Sequence, residues 1–214
     1  MATVVIGGHT RNIGKTSVVC ALIAAMPERR WTAIKITQFG HGVYAADGEL
    51  SGGEIADLPR GVFEEHDAAA GTDSSRYLAA GAAHSFWVRA RQGQLADAMP
   101  RVRALIERAE NAIVESNSIL GFLRPDLYAS VLDPEVADVK ASALRYLERA
   151  DAILLSGEGA CQPGWAGVSM ESIEKIPTFR IGPPSYCSSE FVSFVAHRLD
   201  DLAAQSASSV SAYI

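Results

Sequence analysis

Residues 3 to 17 constrain the chain more than any other stretch. Thr3-Val4-Val5-Ile6 is a β-branched run that reads as a buried strand. It leads into Gly7-Gly8-His9-Thr10-Arg11-Asn12-Ile13-Gly14-Lys15-Thr16-Ser17. Residues 16–26 follow as a helix rich in Val, Ala, Leu and Ile, and Pro27 stops it. A glycine-rich loop between a strand and a helix, ending Gly-Lys-Thr, is the setting a phosphate-cradling loop requires. Backbone N–H groups of Gly8, Thr10, Arg11, Asn12, Ile13 and Gly14, together with those of Lys15, Thr16 and Ser17 at the helix N-terminus, would surround a β-phosphate. Lys15 would reach between the β- and γ-phosphates as a point charge. The hydroxyl of Thr16 would ligate magnesium. The loop departs from the strict pattern, because His9 stands where glycine is the rule and Gly8 falls one residue early. The alternative is a glycine-rich turn with an incidental Lys-Thr.

The rest of the chain alternates short apolar runs with helical periods. Strands are expected at 31–37, 85–90, 112–114, Leu127–Leu132, 152–155 and Thr178–Ile181. Residues 73–80 read as a short helix capped by Thr72 or Asp73. Leu95, Ala98, Met99, Val102, Leu105, Ile106 and Ala109 share one helical face, with Pro100 marking a kink or the true start. Asp133-Pro134-Glu135 predicts a helix start, continued by Val136, Val139, Ala143, Leu144 and Leu147. Phe191, Phe194, Val195, Leu199 and Leu202 line a last helix, and residues 203–214 are expected to fray. Residues 38–72 lack periodicity, and a segment of that length inside a compact domain is often functional. The expected class is therefore α/β, three-layered, with a mostly parallel sheet and helices on both faces. At ~150 residues per domain, a chain of 214 residues reads as one domain spanning 1–214 with a long loop or lid at 38–72. Ligands of such sheets bind beyond the carboxyl ends of the strands.

Charge and composition narrow the function classes. A net charge of −6 and a pI of 5.4 argue against a basic nucleic-acid surface. No apolar run approaches the ~20 residues that span a bilayer. Cys20, Cys161 and Cys187 are widely spaced and odd in number, and Met1-Ala2-Thr3-Val4 carries no basic leader, so a reducing cytoplasm is expected. Cys161 has no basic or histidine activator beside it and reads as a small residue. His41, Glu64, Glu65, His66 and Asp67 match no compact ligand spacing and read as a solvated acidic segment.

Three residues outside the loop complete the candidate site. Glu115 ends the run Ile113-Val114-Glu115 and would hold the metal with Thr16, directly or through water. Lys35 stands where the second strand ends; it would stabilise transferred phosphate or hold an anionic substrate, unless it is a surface lysine. Asp73 would orient water, hold magnesium through water, or simply cap its helix. Arg76 would pair with Asp73 or with phosphate, or lie exposed on the helix.

Four segments resemble the P-loop NTPases of the class that includes dethiobiotin synthetases and the MobB-type proteins of molybdopterin-guanine dinucleotide biosynthesis. Gly8-His9-Thr10-Arg11-Asn12-Ile13-Gly14-Lys15-Thr16 has the dethiobiotin-synthetase loop spacing. Ala33-Ile34-Lys35-Ile36-Thr37-Gln38-Phe39-Gly40 resembles the second-strand lysine segment of both groups. Asp73-Ser74-Ser75-Arg76-Tyr77-Leu78-Ala79-Ala80-Gly81-Ala82 is similar to the MobB-type segment. Ile113-Val114-Glu115-Ser116 resembles the Val-Glu-Gly end of the metal-binding strand, with Ser116 in place of glycine. The C-terminal third adds no such match and lacks an Asn-Lys-X-Asp or Thr-Lys-X-Asp guanine motif.

The resemblance implies a Mg2+-dependent protein that binds ATP or GTP and hydrolyses it slowly, with Lys15, Lys35 and Asp73 as catalytic residues and Thr16 and Glu115 as metal ligands. It also implies a homodimer. Two other readings share the same first strands. One is an ATP-dependent synthetase or kinase acting on a small carboxylate or hydroxyl, hence a small anionic second substrate. The other is a non-enzymatic adaptor that binds a partner protein in one nucleotide state.

Overall fold

A computed structural model describes residues 1–40, 60–157 and 170–211. Among the described residues eight strands form one sheet: β1 (Ala2–Gly8), β2 (Trp31–Phe39), β3 (Gly61–Glu65), β4 (His84–Arg91), β5 (Asn111–Glu115), β6 (Leu127–Leu132), β7 (Ala152–Ser156) and β8 (Thr178–Ile181). Their spatial order is β3-β4-β2-β5-β1-β6-β7-β8. All neighbours run parallel except β3, which lies antiparallel on β4 at one edge. The described helices are α1 (Lys15–Ala25), α2 (Asp73–Ala79), α3 (Met99–Arg108), α4 (Ala141–Leu147), α5 (Met170–Glu174) and α6 (Ser189–Ser211).

The interior strands are apolar on both sides because both faces are covered. Val4 and Ile6 of β1 point to the face packed by Val18, Val19, Leu22 and Ile23 of α1, Tyr77 of α2, and Phe191, Val195 and Leu199 of α6. Val5 points the other way, toward Met99, Val102 and Ile106 of α3, Leu147 of α4 and Ile173 of α5. The architecture is thus the expected three-layer α/β class. β1 sits inside the sheet, with β5 on one side and β6 on the other. The carboxyl ends of β1, β5 and β2 open on one shared edge, where a doubly wound sheet places its ligands.

Register decides which distant side chains meet there. Ile6 pairs with Glu115, Glu115 with Lys35, and Lys35 with Trp87 across β1, β5, β2 and β4. Paired residues of adjacent strands share a face, so these four form a row beneath α1 and α2.

Several local expectations need correction. β2 continues to Phe39, so Lys35 lies within the strand and not at its end. Residues 61–65, expected inside the unpatterned loop, form β3, a short edge strand with only half its neighbours to bury it. Residues 41–59 of that loop lie outside the described residues, as does Cys161. Asp133-Pro134-Glu135 starts no helix; Asp133 Oδ1 accepts the N–H of Glu135 at 3.0 Å in a turn, and α4 begins only at Ala141. The segment is drawn instead onto the loop after β1, where the Lys140 N–H donates to the His9 carbonyl at 2.8 Å. Pro100 marks a true start: it sits in the first turn of α3, where no N–H is needed. α6 extends through residue 203 to Ser211.

Candidate nucleotide site

The loop after β1 is shaped by two residues with positive φ, Asn12 at 54° and Gly14 at 91°. Gly14 is the N-cap of α1, and its left-handed conformation turns the chain into the helix. The first N–H groups of α1 receive no side-chain cap, which leaves them for an external acceptor. Among the loop residues named from sequence, Ile13 and Thr10 are buried and anchor the loop, while Asn12 is exposed at its tip. The Thr10 hydroxyl donates to Asp138 Oδ2 at 2.6 Å. Gly8, the last residue of β1, is clamped by Asn117: its N–H donates to Asn117 Oδ1 at 2.9 Å and its carbonyl accepts from Asn117 Nδ2 at 2.7 Å. A Cβ on Gly8 would come 3.0 Å from the Val131 carbonyl and 2.8 Å from Ile13 Cδ1, so a side chain here would press on both the β6 backbone and the loop.

His9 takes no part in the loop's open face. It is 1% exposed, and its ring lies 3.3 Å from the Val136 carbonyl and accepts the Asp133 N–H at 3.4 Å. Burial lowers its pKa, partly offset by the carbonyls of Val131 and Val136. His9 therefore replaces the usual glycine as a pin between the loop and residues 133–140.

Lys15 folds back over the loop and donates to the Thr10 carbonyl at 2.5 Å. Its pKa is lowered to about 8 by burial, which the Glu115 carboxylate only partly offsets.

The strand row brings together the residues named from separate parts of the chain. Glu115 is 3% exposed and accepts three hydrogen bonds: from Thr16 Oγ1 at 2.8 Å, Lys35 Nζ at 2.6 Å and Tyr77 OH at 2.5 Å. Lys35 Nζ also contacts Asp73 Oδ2 at 2.7 Å and Thr16 Oγ1 at 3.3 Å. Burial opposes the charge on Lys35, but Glu115 and Asp73 outweigh it and raise its pKa. Burial likewise opposes the charge on Asp73, and the Lys35 ammonium outweighs it and lowers that pKa. α2 delivers Asp73 to this point because Thr72 caps the helix, its Oγ1 accepting the Ser75 N–H at 3.0 Å. Asp73 is thereby free of the capping role and pairs with Lys35 and, at 3.6 Å, with Arg76. Arg76 also donates to Ser17 Oγ at 3.1 Å, tying α2 to the start of α1.

Sequence reasoning missed Tyr77 and Asn117. Tyr77 is four residues after Asp73 and so shares its helix face, a spacing that could have pointed to it. Asn117 stands two residues past Glu115, at the strand end where ligand-facing residues gather. In the segment read as solvated and acidic, Glu65 accepts from Thr72 at 3.0 Å and from Ser74 at 3.2 Å; no group of three or more His, Cys, Asp or Glu suited to a metal occurs among the described residues. What does converge is an oxygen set of one hydroxyl and two carboxylates, Thr16, Glu115 and Asp73. Hard cations such as Mg2+ prefer such donors. No described helix is long and apolar enough to cross a membrane.

No protein-family profile matches the chain, and no curated protein is similar to it in sequence. Solved structures similar in fold include HypB from Helicobacter pylori in complex with nickel, at 13% identity over 92% of this chain and 87% of that one, TM-score 0.42. LpxK from Aquifex aeolicus in complex with ATP aligns at 17% identity over 84% of this chain and 53% of that one, TM-score 0.47. MobB from Bacillus subtilis aligns at 15% identity over 92% and 98%, TM-score 0.39.

Proposed function

We propose that the chain binds a nucleoside triphosphate with Mg2+ in the loop after β1 and hydrolyses it slowly. One observation carries this reading. The hydroxyl of Thr16, beside Lys15 at the uncapped N-terminus of α1, is hydrogen-bonded to the buried Glu115 at the end of β5, the strand next to β1. A buried carboxylate beside a loop lysine and helix N-terminus suits a cation–phosphate pair. Thr16, Glu115 and Asp73 would hold the metal, which supplies charge neutralisation at the phosphates when bound. The loop N–H groups and Lys15 would bind the β- and γ-phosphates. Lys15 leaves the Thr10 carbonyl to do so. Tyr77 and Arg76 fix α2 against the site and keep Asp73 and Glu115 in place.

The test is calorimetric titration of ATP and of GTP, each with Mg2+, into the parent and Lys15→Ala. Binding is expected in the parent and a loss of about 100-fold or more in the variant, given charge-assisted contacts to phosphate. Equal affinity in both proteins would overturn the assignment. The ratio of the two affinities in the parent identifies the base.

A second reading, transfer of phosphate to a small anionic acceptor, is favoured by the face that holds Lys35. Two positions further toward the carboxyl end, Thr37 pairs with Arg89, whose guanidinium lies over the Phe39 and Trp87 rings at 5.4 and 5.0 Å. Arg89 is buried against those rings, so Lys35, 18% exposed on the same face, is the cation that would meet an anionic acceptor. Turnover raised by one member of a panel of small carboxylates and alcohols would support it. A MobB-type accessory role and a nucleotide-linked homodimer rest on the segment resemblance alone, and sedimentation with and without Mg-nucleotide tests the dimer.

A further inference from the structure

The ammonium of Lys35 lies among the same three groups that suit a divalent cation. Its Nζ is 2.6 Å from Glu115 Oε1, 2.7 Å from Asp73 Oδ2 and 3.3 Å from Thr16 Oγ1, with the side chain 18% exposed. These groups come from three elements, β5, α2 and α1, and Lys35 from a fourth, β2. Buried carboxylates require a counter-charge, because leaving one unpaired costs far more than a surface charge does. Among the described residues Lys35 is the cation that contacts both carboxylates; Lys15 is turned to the Thr10 carbonyl, and Arg76 reaches Asp73 at 3.6 Å.

We propose that Lys35 is a built-in stand-in for the divalent cation, holding the oxygens of Thr16, Glu115 and Asp73 together until metal-nucleotide arrives. The idea rests on the nucleotide reading above and adds an exchange to it. The metal and the ammonium compete for Thr16, Asp73 and Glu115, since both cannot share three oxygens at contact distance without strong repulsion. Lys35 is thereby released at the moment the nucleotide is seated, and its freed ammonium lies next to the phosphate loop. The device keeps the site from collecting metal without nucleotide: metal alone must expel Lys35 into solvent, whereas metal-nucleotide offers the ammonium a phosphate to meet. Coupling of this kind is a difference in affinity between two states and is reciprocal.

The experiment uses Mn2+ without nucleotide, followed by the electron paramagnetic resonance of the free ion, on the parent, Lys35→Met and Lys35→Met/Asp73→Asn. Lys35→Met keeps the stem and removes the charge, so its Mn2+ affinity should rise about tenfold or more over the parent. The added Asp73→Asn should return most of that gain. Unchanged Mn2+ affinity in a Lys35→Met protein with parental circular dichroism would overturn the proposal. So would a gain that Asp73→Asn leaves intact, for the Asp73 part. If Lys35→Met fails to fold, the parent itself decides: the Lys35 side-chain NMR signal, in protein labelled at lysine, should move on saturation with Mg-ADP, and a signal fixed in place would overturn the exchange. The Mn2+ result does not depend on nucleotide binding. Failure of the calorimetric test with success here would leave a metal site and remove the nucleotide, and the converse would leave a nucleotide site with Lys35 as an ordinary fixed contact.

Discussion

Tyr77 donates to Glu115 from a fully buried position, and burial with the neighbouring carboxylate pushes its pKa well up, so it stays a donor throughout the working range. Tyr77→Phe removes one of three partners of a buried carboxylate. It should cost about 1–3 kcal/mol of stability, seen as a lower midpoint in urea, and should weaken Mg-nucleotide binding several-fold. Lys15 gives a pH dependence with a definite sign. Its folded pKa of about 8 lies below the ordinary value of 10.5, so between those two pH values the unfolded chain binds more protons and stability from this group rises with pH. Below pH 8 the ammonium is held at a cost, and a bound phosphate removes that cost. Nucleotide binding measured above pH 8 should therefore take up a proton, visible as a heat that varies with the ionisation enthalpy of the buffer. Binding heats identical in all buffers at pH 9 would contradict the burial of Lys15.

At the scale of elements, the turn into α1 is the most demanding. Gly14 holds φ at 91°, and a Cβ there would come within 2.8 Å of the Tyr186 ring. Gly14→Ala should lose roughly 1–2 kcal/mol to the left-handed backbone alone and distort the loop enough to reduce nucleotide affinity, which thermal melting and calorimetry would measure together. This part of the fold was legible because it is local: a β-branched run, a glycine loop and an apolar helix follow one another within 26 residues. The paired strands β4 to β8 were legible for the same reason, as short apolar runs. β3 was not, since an edge strand with Phe63-Glu64-Glu65 half in solvent has no apolar alternation to read. Asp133-Pro134-Glu135 misled because local helix propensity yielded to tertiary contacts, with His9, Thr10 and Lys140 holding that segment to the loop. Lys15, Thr16, Lys35, Asp73 and Glu115 could be named from sequence, and Glu115 was expected beside Thr16; the contact of Lys35 with both Glu115 and Asp73 could not be read there. It is a fact of register between β5 and β2 and of where Thr72 starts α2.

Across the whole molecule, the charged groups of the site come from β2, β5, α1 and α2, and the row that aligns them crosses strands from opposite ends of the first half of the chain. A ligand held by all of them binds only the completed sheet. At 100 times its dissociation constant it should add about 2.7 kcal/mol and raise the melting temperature of a domain this size by some 5–10 °C. Scanning calorimetry with Mg-ATP or Mg-GTP tests this, and Lys15→Ala should abolish the shift.

The parallel sheet has a consequence in time as well as in space. β1 is made well before its neighbours β5 and β6, which lie more than a hundred residues later in the chain. A growing polypeptide carries the glycine loop exposed, without the partners that would hold it, until more than half of the chain has been synthesised. Pairings so distant in sequence close slowly, so the interval before β5 and β6 arrive is when the apolar run at residues 3–6 is open to aggregation or to a chaperone.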